Sequence, residues 1–480
     1  MMNIRTLVLL TALAGSALLA DAACAGEDLS LVDAVRLGDR AAVQALLDEH
    51  ANPDGVLPDG STALMWAAGR NDLAMADLLL SAGADVKAAN EYGATALYAA
   101  AAANADAALI ERLLAAGADP NTPLVSGETA LMEAAHQGNL AAVRALVARG
   151  AAVDAQETNG GQNALMWAIS ERHAAVTDEL VRHGADIAAR SKAGFTALMF
   201  AAQQGDADSA RILLTAGAGA NEVMPRTALT PLLIASAMGR AKVAALLLDK
   251  GADPDAMAAS GFTALHYAAR RRGAAAVTIV TALLKHGAKP NVRLNQKKPS
   301  ETPNGVILQG ATPLALAADI NNIDSVKALI DGGADPLIPT TQGTTPLMLA
   351  AGAGTDVVRS RSPAERAVAI ETVKLLVEHG SDVNAAGQFG WTALHSATYQ
   401  GLNDVIEFLV GKGAKLDAKD GFGQTPLSIS NTIITKEISD HGYQAPRIFR
   451  RDTAELLLRL GATPLEQSGV VGVVQRVLTE

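Results

Sequence analysis

The groups in this chain best suited to bind a metal or move a proton are its nine histidines, one cysteine and 50 carboxylates. The histidines are His50, His136, His173, His183, His266, His286, His379, His395 and His441. No His-Glu-x-x-His occurs, the spacing that would set two imidazoles on one helix face over a zinc ion. His183, His286 and His379 each directly precede a glycine at the end of an apolar stretch, where a cation suits the negative end of a helix. There is no Gly-x-Ser-x-Gly elbow and no glycine-rich loop closing on Lys-Ser/Thr. Cys24 is the only cysteine, so no disulfide can form within the chain and no thiolate metal site exists. The carboxylates recur at regular intervals, as turn residues do. These residues point to no catalytic group, no cofactor and no metal: the chain is not expected to be an enzyme.

What the histidines and carboxylates follow is a period. Thr-Ala/Pro-Leu recurs at Thr62, Thr95, Thr129, Thr196, Thr230, Thr263, Thr312, Thr345, Thr392 and Thr425, with Asn163 in the threonine place of one further copy. The steps are 33, 34, 34, 33, 34, 33, 49, 33, 47 and 33 residues, so the two long ones are one period plus an insertion. Gly-Ala recurs in phase at Gly83, Gly117, Gly150, Gly184, Gly217, Gly251, Gly287, Gly333, Gly413 and Gly461, and Gly380 fills the same place before Ser381.

One unit of the period reads as a helix pair. The threonine hydroxyl caps the first helix, and Ala or Pro follows where a missing N–H costs nothing. Leu and small alanines face inward. A second helix buries Val and Leu, as at Val143, Leu146 and Val147. The glycine after it takes the positive-φ position that ends a helix, and Asp-x-Asn with a further glycine turns the chain toward the next unit. At these residues, above all SGFTALHYAA (260–269), FGWTALHSA (389–397) and GADPN (117–121), the chain resembles the ankyrin-repeat family over about residues 29–464. The resemblance implies an all-α solenoid of stacked helix-turn-helix units joined by β-turns, in which neighbours bury each other's apolar faces. It also implies a hydrogen-bonding structural role for His266 and His395.

The resulting division is a signal peptide at 1–25, capping helices at 26–54 and repeats 1–7 at 55–291. An inserted loop follows at 292–309, then repeats 8–11 at 310–464 with insertions at 353–367 and 431–452, and a tail at 465–480. Arg5, the apolar stretch Leu7–Ala20 and the small residues around Ala22 and Ala25 fit an exported leader too short to span a bilayer. Asp21 stands where a lipoprotein signal wants Leu, which disfavours lipidation at Cys24. The expected location is the periplasm of a Gram-negative bacterium, or secretion.

Hydrophobic residues are 49% and aromatics only 3%, which suits closely packed helices better than a sheet sandwich. The net charge of −11 is a poor match for a phosphate backbone, so no nucleic acid is expected. No further apolar run is long enough to cross a membrane.

In the family the turn tips and the exposed side of the first helix line a concave surface that binds other proteins. The residues this chain places there are Tyr92, Phe195, Phe262, Phe389, Trp391 and Phe422 beside the motif glycine, and His136, Arg270, Arg271 and Tyr399 after the Ala-Ala pair or its equivalent. Aromatics on a rigid exposed surface are typical interface anchors. Trp66, Trp167, Phe200 and Tyr267 sit one step before an alanine of the first helix and are expected to pack between units. The expected function is a non-catalytic scaffold, a monomer that binds a protein partner. Two alternatives differ from it: a secreted factor engaging a host protein, and a small-molecule or metal-handling protein that uses the inserted loops.

Overall fold

The computed structural model describes residues 30–295, 308–353, 361–430 and 450–465. The leader, Cys24, most of the first and third insertions, part of the second and the tail lie outside the described residues. The described chain forms 24 helices and no strand beyond two isolated bridges, Val56 to Thr62 and Met257 to Thr263.

The helices come in pairs, as the period requires. The cap pairs Leu31–Leu37 with Arg40–Asp48, and the third repeat pairs Ala130–Gln137 with Leu140–Ala148. Each first helix starts at the threonine of the motif. Thr129 Oγ1 accepts from Met132 N–H, and Thr62, Thr95, Thr230, Thr263, Thr312, Thr345 and Thr392 do the same three residues on. Asn163 caps through its side-chain oxygen, so the substitution preserves the function. Thr196 is the exception: its hydroxyl is buried and makes no cap bond.

The motif leucine anchors the interior: Leu64, Leu97, Leu131, Leu165, Leu265, Leu314 and Leu394 are all at most 1% exposed. Truncating one such leucine to alanine costs about 2–5 kcal/mol. Alanines at the next two inward positions keep adjacent first helices close. The second helices end at the in-phase glycines, whose φ runs from 82° at Gly251 to 102° at Gly461, a region that L side chains avoid.

Two further devices join neighbours. Backbone hydrogen bonds link successive turn tips, as from Val125 N–H to Tyr92 O (2.9 Å) and from Gly421 N–H to Phe389 O (2.6 Å). An Asx latch links successive second-helix ends. Asn121 Oδ1 accepts from Ala152 N–H and its Nδ2 donates to Gly150 O; Asn221, Asn291 and Asn384 make both bonds at the ends of repeats 5, 7 and 9.

The chain divides into two compact units, residues 1–219 and 220–480. The first holds the cap and repeats 1–5, the second repeats 6–11, and each is a stack of helix pairs. The insertion at 353–367 is not loop throughout. The second helix of repeat 9 begins inside it and runs Pro363–Glu378, started by a Ser362–Glu365 capping box with Pro at its first position. No helix among the described residues is long and apolar enough to cross a membrane.

Candidate functional site

The turn before each first helix is closed by a backbone bond over the motif glycine. Ala258 N–H donates to Phe262 O, Gly387 N–H to Trp391 O and Asp420 N–H to Gln424 O. This closure separates two positions that the sequence reading pooled. The residue before the glycine stays at the tip. The residue after it is drawn back toward the helix start and packs.

Phe389 and Phe422 precede their glycines and are 54% and 68% exposed. They belong to consecutive repeats and stack with ring centroids 6.4 Å apart at 22°. Trp391 follows its glycine and is half-buried: its Nε1 donates to Asp420 Oδ2 at 3.2 Å, and Tyr399 meets it edge-on at 5.6 Å. These side chains make two aromatic pairs on repeats 10 and 11, Phe389 with Phe422 and Trp391 with Tyr399. Tyr399 is half-buried, and its carbonyl accepts from Arg450 Nε at 2.8 Å.

Phe262 also follows its glycine, and here the expectation of an exposed anchor is corrected. It is 6% exposed, stacked on Tyr267 at 5.0 Å and edge-on to His266 at 5.9 Å. Arg270 lies over its ring at 5.7 Å and is itself exposed. Arg271 is exposed, with Nη1 held by Ala237 O of the preceding repeat at 2.6 Å.

The remaining candidates lie apart in the first unit. Tyr92 is half-buried on its tip, and the hydrogen-bonded Glu91 carboxylate raises its hydroxyl above the ordinary value. Phe195 leans on Phe200 at 5.4 Å. His136 is packed edge-on to Trp167 at 5.7 Å, its carbonyl accepts from His173 Nε2 at 3.0 Å, and its ring lies 3.7 Å from Glu171. Among the residues expected to pack between units, Trp167 is buried and Trp66, Phe200 and Tyr267 are half-buried. Arg36 covers Trp66 at 4.9 Å.

His266 and His395 are buried and identically wired. Thr263 N–H donates to His266 Nδ1 at 3.2 Å, while Nε2 donates to Ala311 O at 3.3 Å in the next repeat. That pattern fixes the neutral tautomer with its proton on Nε2. Burial pushes the His266 imidazole down to about 4, although the Ala311 and Val292 carbonyls favour its charged form. His395 is lowered for the same first reason. Burial raises the Asp319 carboxyl to about 6, against the pull of Arg270 and Arg361, and its Oδ1 is buried with no hydrogen-bond partner.

Two features, one exposed and one largely buried, were missed in the sequence. Val125, on the tip of repeat 3, is 79% exposed, an aliphatic residue where aromatics were expected as anchors. Asp319 directly follows Ala317-Ala318, in phase with Arg270, and could have been read from the repeat. Among the described residues no group of three or more His, Cys, Asp or Glu side chains could hold a metal ion.

A family model described as ankyrin repeats (3 copies) matches residues 31–122, 99–191, 175–258, 198–294 and 364–430, and a single ankyrin repeat matches 309–341. The chain belongs to the ankyrin-repeat family. Members of this family are generally interaction modules.

The B-cell lymphoma 3 protein homolog of Mus musculus is 30% identical over 183 residues, 38% of this chain and 35% of that protein. Protein phosphatase 1 regulatory subunit 27 of Homo sapiens is 40% identical over 60 residues, 12% of this chain and 39% of that one. Serine/threonine-protein kinase 12 of Arabidopsis thaliana is 38% identical over 81 residues, 16% of this chain and 18% of the kinase, a share that transfers no activity. The chain therefore covers well under half the length of each of these relatives. The crystal structure of the human ASB11 ankyrin repeat domain aligns at 24% identity with a TM-score of 0.41, covering 47% of this chain and 98% of that one.

Proposed function

We propose that this protein is a non-catalytic binding scaffold, exported to the periplasm or beyond, that holds a protein partner on the face formed by its turn tips and first helices. The reading is carried by the Phe389–Phe422 pair. Two large rings stand side by side on consecutive tips, more than half exposed, and the half-buried Trp391 and Tyr399 make a second aromatic pair in repeat 10. Solvating that much aromatic surface is unfavourable, and nothing in the repeat pattern requires it, because most other repeats place small or polar residues at the same position. Rigid, exposed aromatics are how interfaces concentrate binding energy. Export rests on the leader-like first 25 residues, and a monomer is the assumed working form.

The test is capture of a partner from the native extract by the chain lacking residues 1–25, compared with Phe389→Ala/Phe422→Ala. The double variant should lose capture while its urea midpoint stays put. Retained capture would exclude the tips of repeats 10 and 11 as the binding surface. Fractionation of cells expressing the full chain tests export independently.

A further inference from the structure

The loops between first and second helices differ in kind between the two units. In the first unit the residues at the starts of the second helices are Asp39, Asp72, Asp106, Asn139, His173 and Asp206; the side chains of Asp39, Asp72, Asn139 and Asp206 cap the helix, whereas Asp106 and His173 make no cap bond. An acceptor at that position satisfies a free N–H, and a negative charge suits the positive end of the helix. In the second unit the same position holds Arg240, Gly273, Asn322, Ser362, Leu402 and Arg450. Arg240, Gly273, Leu402 and Arg450 give no side-chain cap bond, and both arginines set a cation against the helix dipole. Around them stand Arg270, Arg271 and Arg272, consecutive and all exposed, and Arg361.

Backbone carbonyls of neighbouring repeats hold several of these guanidinium groups. Arg271 donates to Ala237 O at 2.6 Å, Arg272 to Ile320 O at 2.8 Å and Arg450 to Tyr399 O at 2.8 Å. A guanidinium has five N–H donors, so one such bond fixes its position and leaves others available. A local rule broken repeatedly along one edge, in a chain whose net charge is −11, is the mark of a surface kept for binding. Of the carboxylates on this edge, Asp319 offsets part of the charge of Arg270 and Arg361, whereas Asp324, Asp404 and Asp452 sit in helix first turns, where they serve the dipole.

We propose that this arginine edge of the second unit binds an extended acidic polypeptide whose carboxylates recur at every third residue. Stacked helices lie about 8–10 Å apart and an extended chain advances about 3.3 Å per residue. Three residues of such a peptide therefore match one repeat. A nucleic acid fits less well, because its evenly dense phosphates would also meet the acidic remainder of the protein. The proposal rests on the reading of this chain as a protein-binding module and names the chemistry of the partner.

The experiment uses the chain without residues 1–25 and two labelled peptides of one composition, with glutamates at every third position or in one block, followed by fluorescence anisotropy. The spaced peptide should bind at least tenfold tighter, and binding should weaken as salt rises. Arg270→Gln and Arg272→Gln should each weaken it about tenfold. Arg270 is the cleaner position, since it makes no hydrogen bond to a neighbouring repeat. Arg211→Gln, on the outer side of the first unit, should change nothing, and circular dichroism should show all variants folded. Equal binding of both peptides, indifference to Arg270→Gln in a folded variant, or tighter binding of an oligothymidylate would each overturn the proposal. Phe389→Ala/Phe422→Ala should leave peptide binding intact. If that variant loses the native partner while neither peptide binds, the scaffold reading stands and the arginine edge falls.

Discussion

Acidification should tilt the stability of the second unit in opposite directions in two single variants, His266→Met and Asp319→Asn. Unfolded, the imidazole takes its proton near pH 6.5; folded, burial delays protonation to about pH 4. Between those values the unfolded chain holds the extra proton, so the contribution of His266 is complete above about pH 6.5 and is lost as pH falls toward 4. At about 1.4 kcal/mol per pH unit, this amounts to about 3 kcal/mol. Asp319 works the other way. Its carboxyl moves from 3.8 to about 6 on folding, so the folded state holds the extra proton in that window. Its contribution is most favourable below pH 3.8 and worsens by about 3 kcal/mol as pH rises to 6. In the native chain the two slopes nearly cancel between pH 4 and 6.

His266→Met exposes the Asp319 slope, so stability relative to the native chain rises as pH falls. Methionine is a fair replacement because Met65, Met132, Met166, Met199 and Met348 fill the same position, and Thr345 N–H reaches Met348 Sδ at 3.5 Å. Asp319→Asn exposes the His266 slope and should stabilise the unit at pH 7, where the native carboxylate is ionised and buried with an unpaired oxygen. The assay is urea unfolding from pH 4 to 7, read from Trp391 in a Trp66→Phe/Trp167→Phe background so that the second unit reports alone. Phe200 already occupies the position of those two tryptophans in its own repeat. Parallel pH slopes in the two variants, or a folded His266 that titrates near 6.5 by NMR, would refute the reasoning.

Other outcomes follow from single contacts. Leu337 and Lys87 stand where Asn121, Asn291 and Asn384 make the latch, and Leu337 is 53% exposed. Leu337→Asn and Lys87→Asn should each raise the urea midpoint by an amount equivalent to about 1 kcal/mol. Thr129→Ala should cost about 1 kcal/mol by removing its cap to Met132 N–H, whereas Thr196→Ala, with no cap bond to lose, should cost close to nothing in the same assay. Phe389→Ala/Phe422→Ala should abolish partner capture with the urea midpoint changed by less than about 0.5 kcal/mol, since both rings are more than half exposed.

What could be read from the sequence and what could not divide along one physical line. Position within the period fixes what the backbone needs: a cap acceptor at Thr129, a positive φ at Gly150, an apolar side chain at Leu146. These needs are local, so residue type and spacing state them outright, and even Asn163 could be placed as a stand-in for threonine. The candidate site depends on a finer matter, the direction in which a side chain leaves a turn of a few residues. Phe262 and Phe389 both lie beside a motif glycine, and composition treats them alike. The bond that closes the turn does not. It ties down the carbonyl of the residue after the glycine, which draws Phe262 against Tyr267 and leaves Phe389 at the tip. The division at Gly219 lies beyond sequence reading for a related reason: the period runs unbroken from Thr196 to Thr230, so nothing at the level of one repeat registers it. The arginine edge lies between these cases. Arg240 and Arg450 stand where the repeat asks for a cap acceptor, and this departure was open to view in the sequence. It acquired meaning once the helix starts showed that neither arginine caps its helix through its side chain.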